Sequence, residues 1–170
     1  TVQNISDGIT LQQEIRKKGE GAYSPLGQKP VKQTNVQTVF PEQEIRLWEP
    51  ENPHLYEIRT SLWKNGEMID ARVDITGFRE AGFRKDGFYL NGKKLRLRGL
   101  NRHQSYPYVG YAAPASMQIF DADILKKELG VNAVRTSHYP QSQDFIRRCD
   151  EIGLLVFAEF PGWQHIGGDV

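Results

Sequence analysis

Residues 132–157, NAVRTSHYPQSQDFIRRCDEIGLLVF, decide the fold class of this chain. Val131–Ser137 reads as a short apolar strand that ends in Arg135, Ser137, His138 and Tyr139. Pro140 breaks the strand, and Ser142 is placed to cap an amphipathic helix that Gly153 ends. Leu154–Phe160 is a second, almost wholly apolar strand. This is a βαβ unit with polar side chains gathered at the carboxyl end of its first strand, where open sheets and α/β barrels place their chemistry. LRLRGLNRH, residues 95–103, repeats the arrangement just upstream. Two successive strands therefore deliver polar clusters to one rim.

Working outward, Phe88-Tyr89-Leu90 followed by Asn91-Gly92 predicts a small hairpin that leads into a strand over Leu95–Leu100. A loop through Tyr106, Tyr108 and Tyr111 precedes a helix predicted from about Ser116 to Leu129. Met117, Phe120 and Ile124 are assigned to its inner face, and Gly130 is positioned to stop it. Strand and helix alternate from here on, which means parallel strands joined by right-handed crossovers. A complete eightfold barrel needs ~250 residues, so this part corresponds to about three of eight βα units.

The first 80 residues follow a different period. Ile9, Leu11 and Ile15 alternate with Thr10, Gln12, Glu14 and Arg16. Tyr56, Ile58, Thr60 and Leu62 alternate with Glu57, Arg59 and Ser61. After the turn dipeptide Asn65-Gly66, Ile69, Ala71, Val73 and Ile75 alternate with Asp70, Arg72 and Asp74. Period-2 strands broken by SDG, GEGAYSPLGQKP and PENPH predict an antiparallel β-sandwich with one face of each strand buried. About five or six strands fit between Ile9 and Thr76, against about seven for an immunoglobulin-type sandwich. The shortfall suggests a missing first strand, with residues 1–3 as its remnant.

Composition excludes several classes. The chain of 170 residues has a formal net charge of +1, without the basic footprint of a nucleic-acid binder. No apolar run reaches the ~20 residues that cross a bilayer, so a soluble protein, cytoplasmic or periplasmic, is expected. The chain opens TVQNISDG, without Met or signal-peptide pattern, as a piece of a longer protein would. The single cysteine, Cys149, sits at helical spacing from Phe145 and Ile152 and reads as a core thiol.

Asn101, Arg102 and His103 follow the first parallel strand, Arg135, Ser137, His138 and Tyr139 lie at the end of the second, and Glu159 lies at the end of the third. Adjacent strands are ~4.8 Å apart, so these groups would share one pocket mouth. Tyr106, Tyr108, Tyr111, Phe160 and Trp163 lie nearby. Rings among imidazole, amide and guanidinium groups suit a sugar, which offers apolar C–H faces and a rim of hydroxyls. Glu159 reads either as a catalytic acid or as a carboxylate bound by Arg135. GxGxxG, CxxC, HExxH and GxSxG are absent. Glu159 with His165 is too sparse for a metal site, so neither cofactor nor metal is expected.

Three stretches carry a resemblance. Asn132 to Pro140, with Cys149-Asp150 and Gly153 to Phe157, resembles the long signature of the family 2 glycoside hydrolases, the β-galactosidase, β-glucuronidase and β-mannosidase group. Leu97 to His103 is similar to the first-strand motif of its β-galactosidases, and Trp48 to Tyr56 to the lead-in of the last hairpin of its immunoglobulin-like domain. The resemblance implies an immunoglobulin-like β-sandwich over residues 1–80, followed by the first part of a TIM (β/α)8 barrel over 81–170. It implies a retaining enzyme acting on terminal β-D-galactosides, with His103, His138, Asn101, Arg135, Glu159 and Trp163 contacting the sugar. Arg135 would also help to position the nucleophile. Both catalytic Glu residues of the family come from later strands, so this piece by itself is expected to be inactive. Trp163-Gln-His165 keeps only the histidine of a magnesium-binding Glu-x-His found in some relatives. The alternatives are a β-glucuronidase or β-mannosidase of the same family, or a non-catalytic carbohydrate-binding module. Homo-oligomerisation stays open.

Overall fold

Alternating apolar and polar residues can bury one side of an extended chain, and β-strands of that period in the N-terminal half form a single antiparallel sheet. The computed structural model describes residues 1–3, 6–39 and 44–161. Contacts divide the chain into two units, one of Thr1–Arg46 with His54–Phe78 and one of Leu47–Pro53 with Arg79–Val170. No described helix is long and apolar enough to cross a membrane.

In the first unit, β1 (Ile9–Lys17), β2 (Ser24–Pro30), β3 (Tyr56–Lys64) and β4 (Glu67–Thr76) form a sheet of order β2-β1-β3-β4. The register sets Leu11 against Leu62 and Ile15 against Ile58. Ile9 and Leu11 pack with Val2, Val31, Val36 and Leu62 into the unit's core. Asn65 and Gly66 both take positive φ, 52° and 84°, as a tight hairpin turn between right-twisted strands requires.

Two expectations are corrected here. The described residues hold four strands between Ile9 and Thr76, not five or six, because 31–39 lacks apolar alternation and runs as a loop. β4 also does not bury one face. Its side chains are exposed almost throughout, with Val73 at 49% and Ile75 at 48%. The ladder register puts Val73 and Ile75 opposite Arg59 and Glu57, on the side of the sheet away from the core.

That polar side is organised around Tyr23. Its ring lies between the Arg16 and Arg59 guanidinium groups, 4.4 and 4.3 Å from their central carbons. Its hydroxyl donates to Glu57 Oε2 at 2.8 Å, where Arg16 Nε also donates at 2.7 Å. These two bonds, Tyr23 first, hold the Glu57 carboxyl below its ordinary value, against a partial desolvation that raises it. A carboxyl depressed by folding adds stability above its unfolded value of 4.5 and loses that contribution as pH falls. Glu57→Gln is therefore expected to flatten the acid limb of melting temperature against pH below 4.5, read by scanning calorimetry from pH 3 to 7. A limb of unchanged slope would show that the pair contributes nothing.

The second unit begins with a meander of β5 (Ala81–Arg84), β6 (Gly87–Leu90) and β7 (Lys93–Lys94). A parallel sheet follows, of order β10-β9-β8, from β8 (Gly99–Arg102), β9 (Ala133–Thr136) and β10 (Leu155–Phe157). The helices α1 (Ala115–Asp123) and α2 (Gln143–Ile152) cross between successive strands. Ala122, Leu125, Val131, Val134, Phe145, Cys149 and Leu154 make the core. Burial pushes the Cys149 thiol up to about 12, so it stays neutral.

Ser142 caps α2 by accepting from Asp144 N at 3.3 Å, and Gly153 ends it at φ 75°. α1 continues into a wider turn over Ile124–Glu128, where Leu129 N bonds Ile124 O five residues back, and Gly130 follows at φ 64°. The predicted inner face of α1 holds only in part, since Met117 and Ile124 are half-buried but Phe120 is not. Gln118 and Ala122 are buried, while Phe120 is 59% exposed. The strand predicted over Leu95–Leu100 instead runs from Gly99. Ahead of it, the Asn132 side chain takes the ladder's place, accepting from Arg98 N at 2.8 Å and donating to Arg96 O at 2.9 Å.

Candidate active site at the strand ends

Residues paired across a parallel ladder point to the same face, so the register states which side chains meet. Asn101 stands beside Arg135, and Arg135 beside Phe157. Asn101, His103 and Arg135 are all exposed on that face. Arg102 pairs with Thr136 on the other face, and both are buried. Arg102 thus leaves the rim to which its sequence position assigned it.

Beyond the strand ends, the His103 and His138 rings lie edge to face, with centroids 5.4 Å apart and planes at 71°. The Tyr139 ring lies 6.4 Å from His103, and Tyr111 meets Tyr139 edge-on at 5.6 Å. Arg135 Nε donates to Glu159 Oε1 at 2.5 Å. His138 Nδ1 is 3.5 Å from both Glu159 Oε2 and Arg135 Nη2. The Thr136 hydroxyl accepts from Glu159 N at 3.2 Å and donates to Phe157 O at 3.2 Å, which anchors the turn carrying the carboxylate.

Five of the six candidate residues, Asn101, His103, Arg135, His138 and Glu159, therefore gather at one end of the sheet. Trp163 lies outside the described residues, as does His165. Glu159 takes the carboxylate-on-arginine role, one of its two sequence readings. Among the described residues, no group of three or more His, Cys, Asp or Glu stands together to hold a metal. Chemically, the cluster offers imidazole edges, an amide and a guanidinium for hydroxyls, and one carboxylate already paired with a cation.

Sequence reasoning missed the layer beneath. Arg102 donates to Asp121 Oδ2 through Nε at 2.9 Å and Nη2 at 2.7 Å, to Gln118 Oε1 at 2.7 Å, and to Gln141 Oε1. Its guanidinium also stacks on Phe145, 3.9 Å from the ring centre. The Tyr106 hydroxyl donates to Asp121 Oδ1 and approaches Met117 O at 3.1 Å. Burial, then the bond to Asp121, pushes that phenol up to about 12. Tyr106 is thus a support of the loop, and Tyr108 is fully exposed. A charged residue at the inward position of an apolar strand was the signal available.

Comparison with known proteins agrees with this layout. The description "Glycosyl hydrolases family 2" fits residues 2–79, and "Glycosyl hydrolases family 2, TIM barrel domain" fits residues 82–167. A β-galactosidase of Thermoanaerobacterium thermosulfurigenes is 62% identical over 125 residues, which is 74% of this chain and 17% of that protein. A β-galactosidase of Thermoanaerobacter pseudethanolicus is 49% identical over 169 residues, 98% of this chain and 23% of that protein. Among solved structures, the FMN-binding β-glucuronidase from Facaelibacterium prausnitzii L2-6 superposes with a TM-score of 0.81 at 34% identity, covering 93% of this chain and 24% of that one. The chain thus spans a quarter or less of the length of these relatives. With both of its units matched, and a histidine pair and an arginine–glutamate pair at its strand ends, the chain belongs to family 2 of the glycosyl hydrolases.

Proposed function

We propose that this chain is part of a retaining glycosidase that removes terminal β-D-galactose, with residues 1–80 an immunoglobulin-like sandwich and 81–170 the first part of a TIM barrel. The observation that carries the reading is the 5.4 Å approach of His103 and His138 beside the Arg135–Glu159 pair. Two imidazoles at adjacent strand ends can hold neighbouring hydroxyls of one sugar ring. Hydrogen bonds to those hydroxyls that tighten as the ring flattens stabilise the oxocarbenium-like transition state. Arg135 holds the Glu159 carboxylate in place, and Asn101 and Trp163 complete the sugar contacts. The identity of up to 62% to proteins named β-galactosidase supports galactose. The solved β-glucuronidases keep the glucuronide reading open, and kcat/KM on aryl β-galactoside against aryl β-glucuronide separates the two.

In the full-length enzyme, His103→Ala and His138→Ala should each lower kcat by about 10²–10³, with a much smaller change in KM, because the lost bonds belong to the transition state. A rise in KM alone would mean that the histidines hold the ground-state sugar and not the transition state. Retention needs two carboxyl groups about 5–5.5 Å apart, and the family resemblance draws both from outside these 170 residues. The chain by itself should release no nitrophenol from aryl β-galactoside. Turnover would move those roles to carboxylates within it, Glu159 first.

A further inference from the structure

β4 carries its apolar residues on the side of the sheet that its neighbours leave polar. Ala71, Val73 and Ile75 lie opposite Ser61, Arg59 and Glu57, while Asp70, Arg72 and Asp74 lie opposite Leu62, Thr60 and Ile58. The strand is ten residues long, contains no proline, and has no strand on its outer edge among the described residues. A long, proline-free edge with an apolar row along one face is one that folded proteins cover or pair.

We propose that a second copy of this chain pairs its own β4 with this edge, antiparallel, about a two-fold axis through Val73. The charges select both the occupant and the register. An axis normal to the sheet keeps each face on its own side, so one residue must sit on the axis and meet itself. With Val73 there, Val73 meets Val73, Ala71 meets Ile75, and Arg72 of each copy meets Asp74 of the other. With Arg72 on the axis, Arg72 meets Arg72 and Asp70 meets Asp74. With Asp74 on it, two carboxylates meet. Like charges directly opposite destabilise a ladder. Centring on Ala71 pairs Asp70 with Arg72, but the irregularity opposite Leu62 and Trp63 breaks the strand at Ile69 and leaves three regular residues. The Val73 register uses the whole regular run from Asp70 to Thr76. Arg72 and Asp74 already bond each other within the chain at 2.6 Å, both exposed. The dimer exchanges these two exposed intrachain bonds, one in each copy, for two bonds across the axis.

Sedimentation equilibrium of the 170-residue chain over about 5–300 µM should show a monomer–dimer equilibrium. Arg72→Asp and Asp74→Arg should each weaken it at least tenfold, by setting like charges opposite. An equimolar mixture of the two variants should restore it, because each then faces its opposite. Val73→Cys should give a disulfide-linked dimer under mild oxidation, since Cys149 is buried, while Ala71→Cys should not. A chain monomeric throughout, association indifferent to both reversals, no recovery on mixing, or cross-linking through Cys at 71 in preference to 73 would each overturn the proposal.

Discussion

Gly153→Ala is expected to cost the second unit about 4 kcal/mol, most of the stability of a domain at the low end of the ordinary range, and to move its urea midpoint far down. Gly153 ends α2 at φ 75°, and its N–H and that of Leu154 both reach Cys149 O. An L-residue in that conformation costs about 1 kcal/mol. The larger cost is contact. A Cβ built on Gly153 would lie 2.0 Å from Pro50 O and 2.6 Å from Pro50 C, and a backbone carbonyl cannot rotate away as a side chain can. The Pro50 segment is pinned on both sides. Lys126 Nζ donates to Pro50 O at 3.0 Å and to Gly153 O at 2.9 Å, and the buried Trp48 donates to Asp150 O at 2.8 Å. Gly130→Ala is the control, since Gly130 has φ 64° but open space where its Cβ would go. It should cost only about 1 kcal/mol. Equal urea midpoints for the two variants, followed by circular dichroism at 222 nm, would mean that Pro50 does not pack on α2.

Arg102→Met should cost about 3 kcal/mol. Arg102 is 5% exposed, and its removal leaves two buried glutamine oxygens without a donor and Asp121 held by Tyr106 alone. Breaking a buried ion pair costs about 3–5 kcal/mol. The low end applies because the Asp121 side chain is 24% exposed and can recover some water. Asp121→Asn should also destabilise, by leaving the arginine charge uncompensated. The double variant should cost less than the sum of the two, with a coupling of about 1–3 kcal/mol in a cycle of urea melts. Additive losses would mean that the two side chains do not work as a pair.

Several local features were legible in residue order. Asn65-Gly66 makes its hairpin, Ser142 caps α2, and Gly153 and Gly130 stop their helices. Each is set by a dihedral preference or a capping oxygen within a few residues. The histidine pair was legible for a related reason. His103 and His138 each lie just beyond the carboxyl end of a strand, and the βα alternation makes those strands neighbours.

Amino-acid order by itself determined the change from period 2 to βα alternation and the family signature, because strand and helix periods and turn dihedrals act over a few residues. Tertiary structure alone decided which way a polar side chain faces once it competes with a distant partner. It turned Arg102 inward to Asp121, buried Gln118 in place of Phe120, let Asn132 stand in for a strand ahead of Gly99, and drew Trp48 to Asp150 across 102 positions. It also put the apolar row of β4 on the outer side of its sheet, because ladder register, not alternation, chooses the face. Those outcomes depend on buried hydrogen bonds between remote residues, and no local period encodes them.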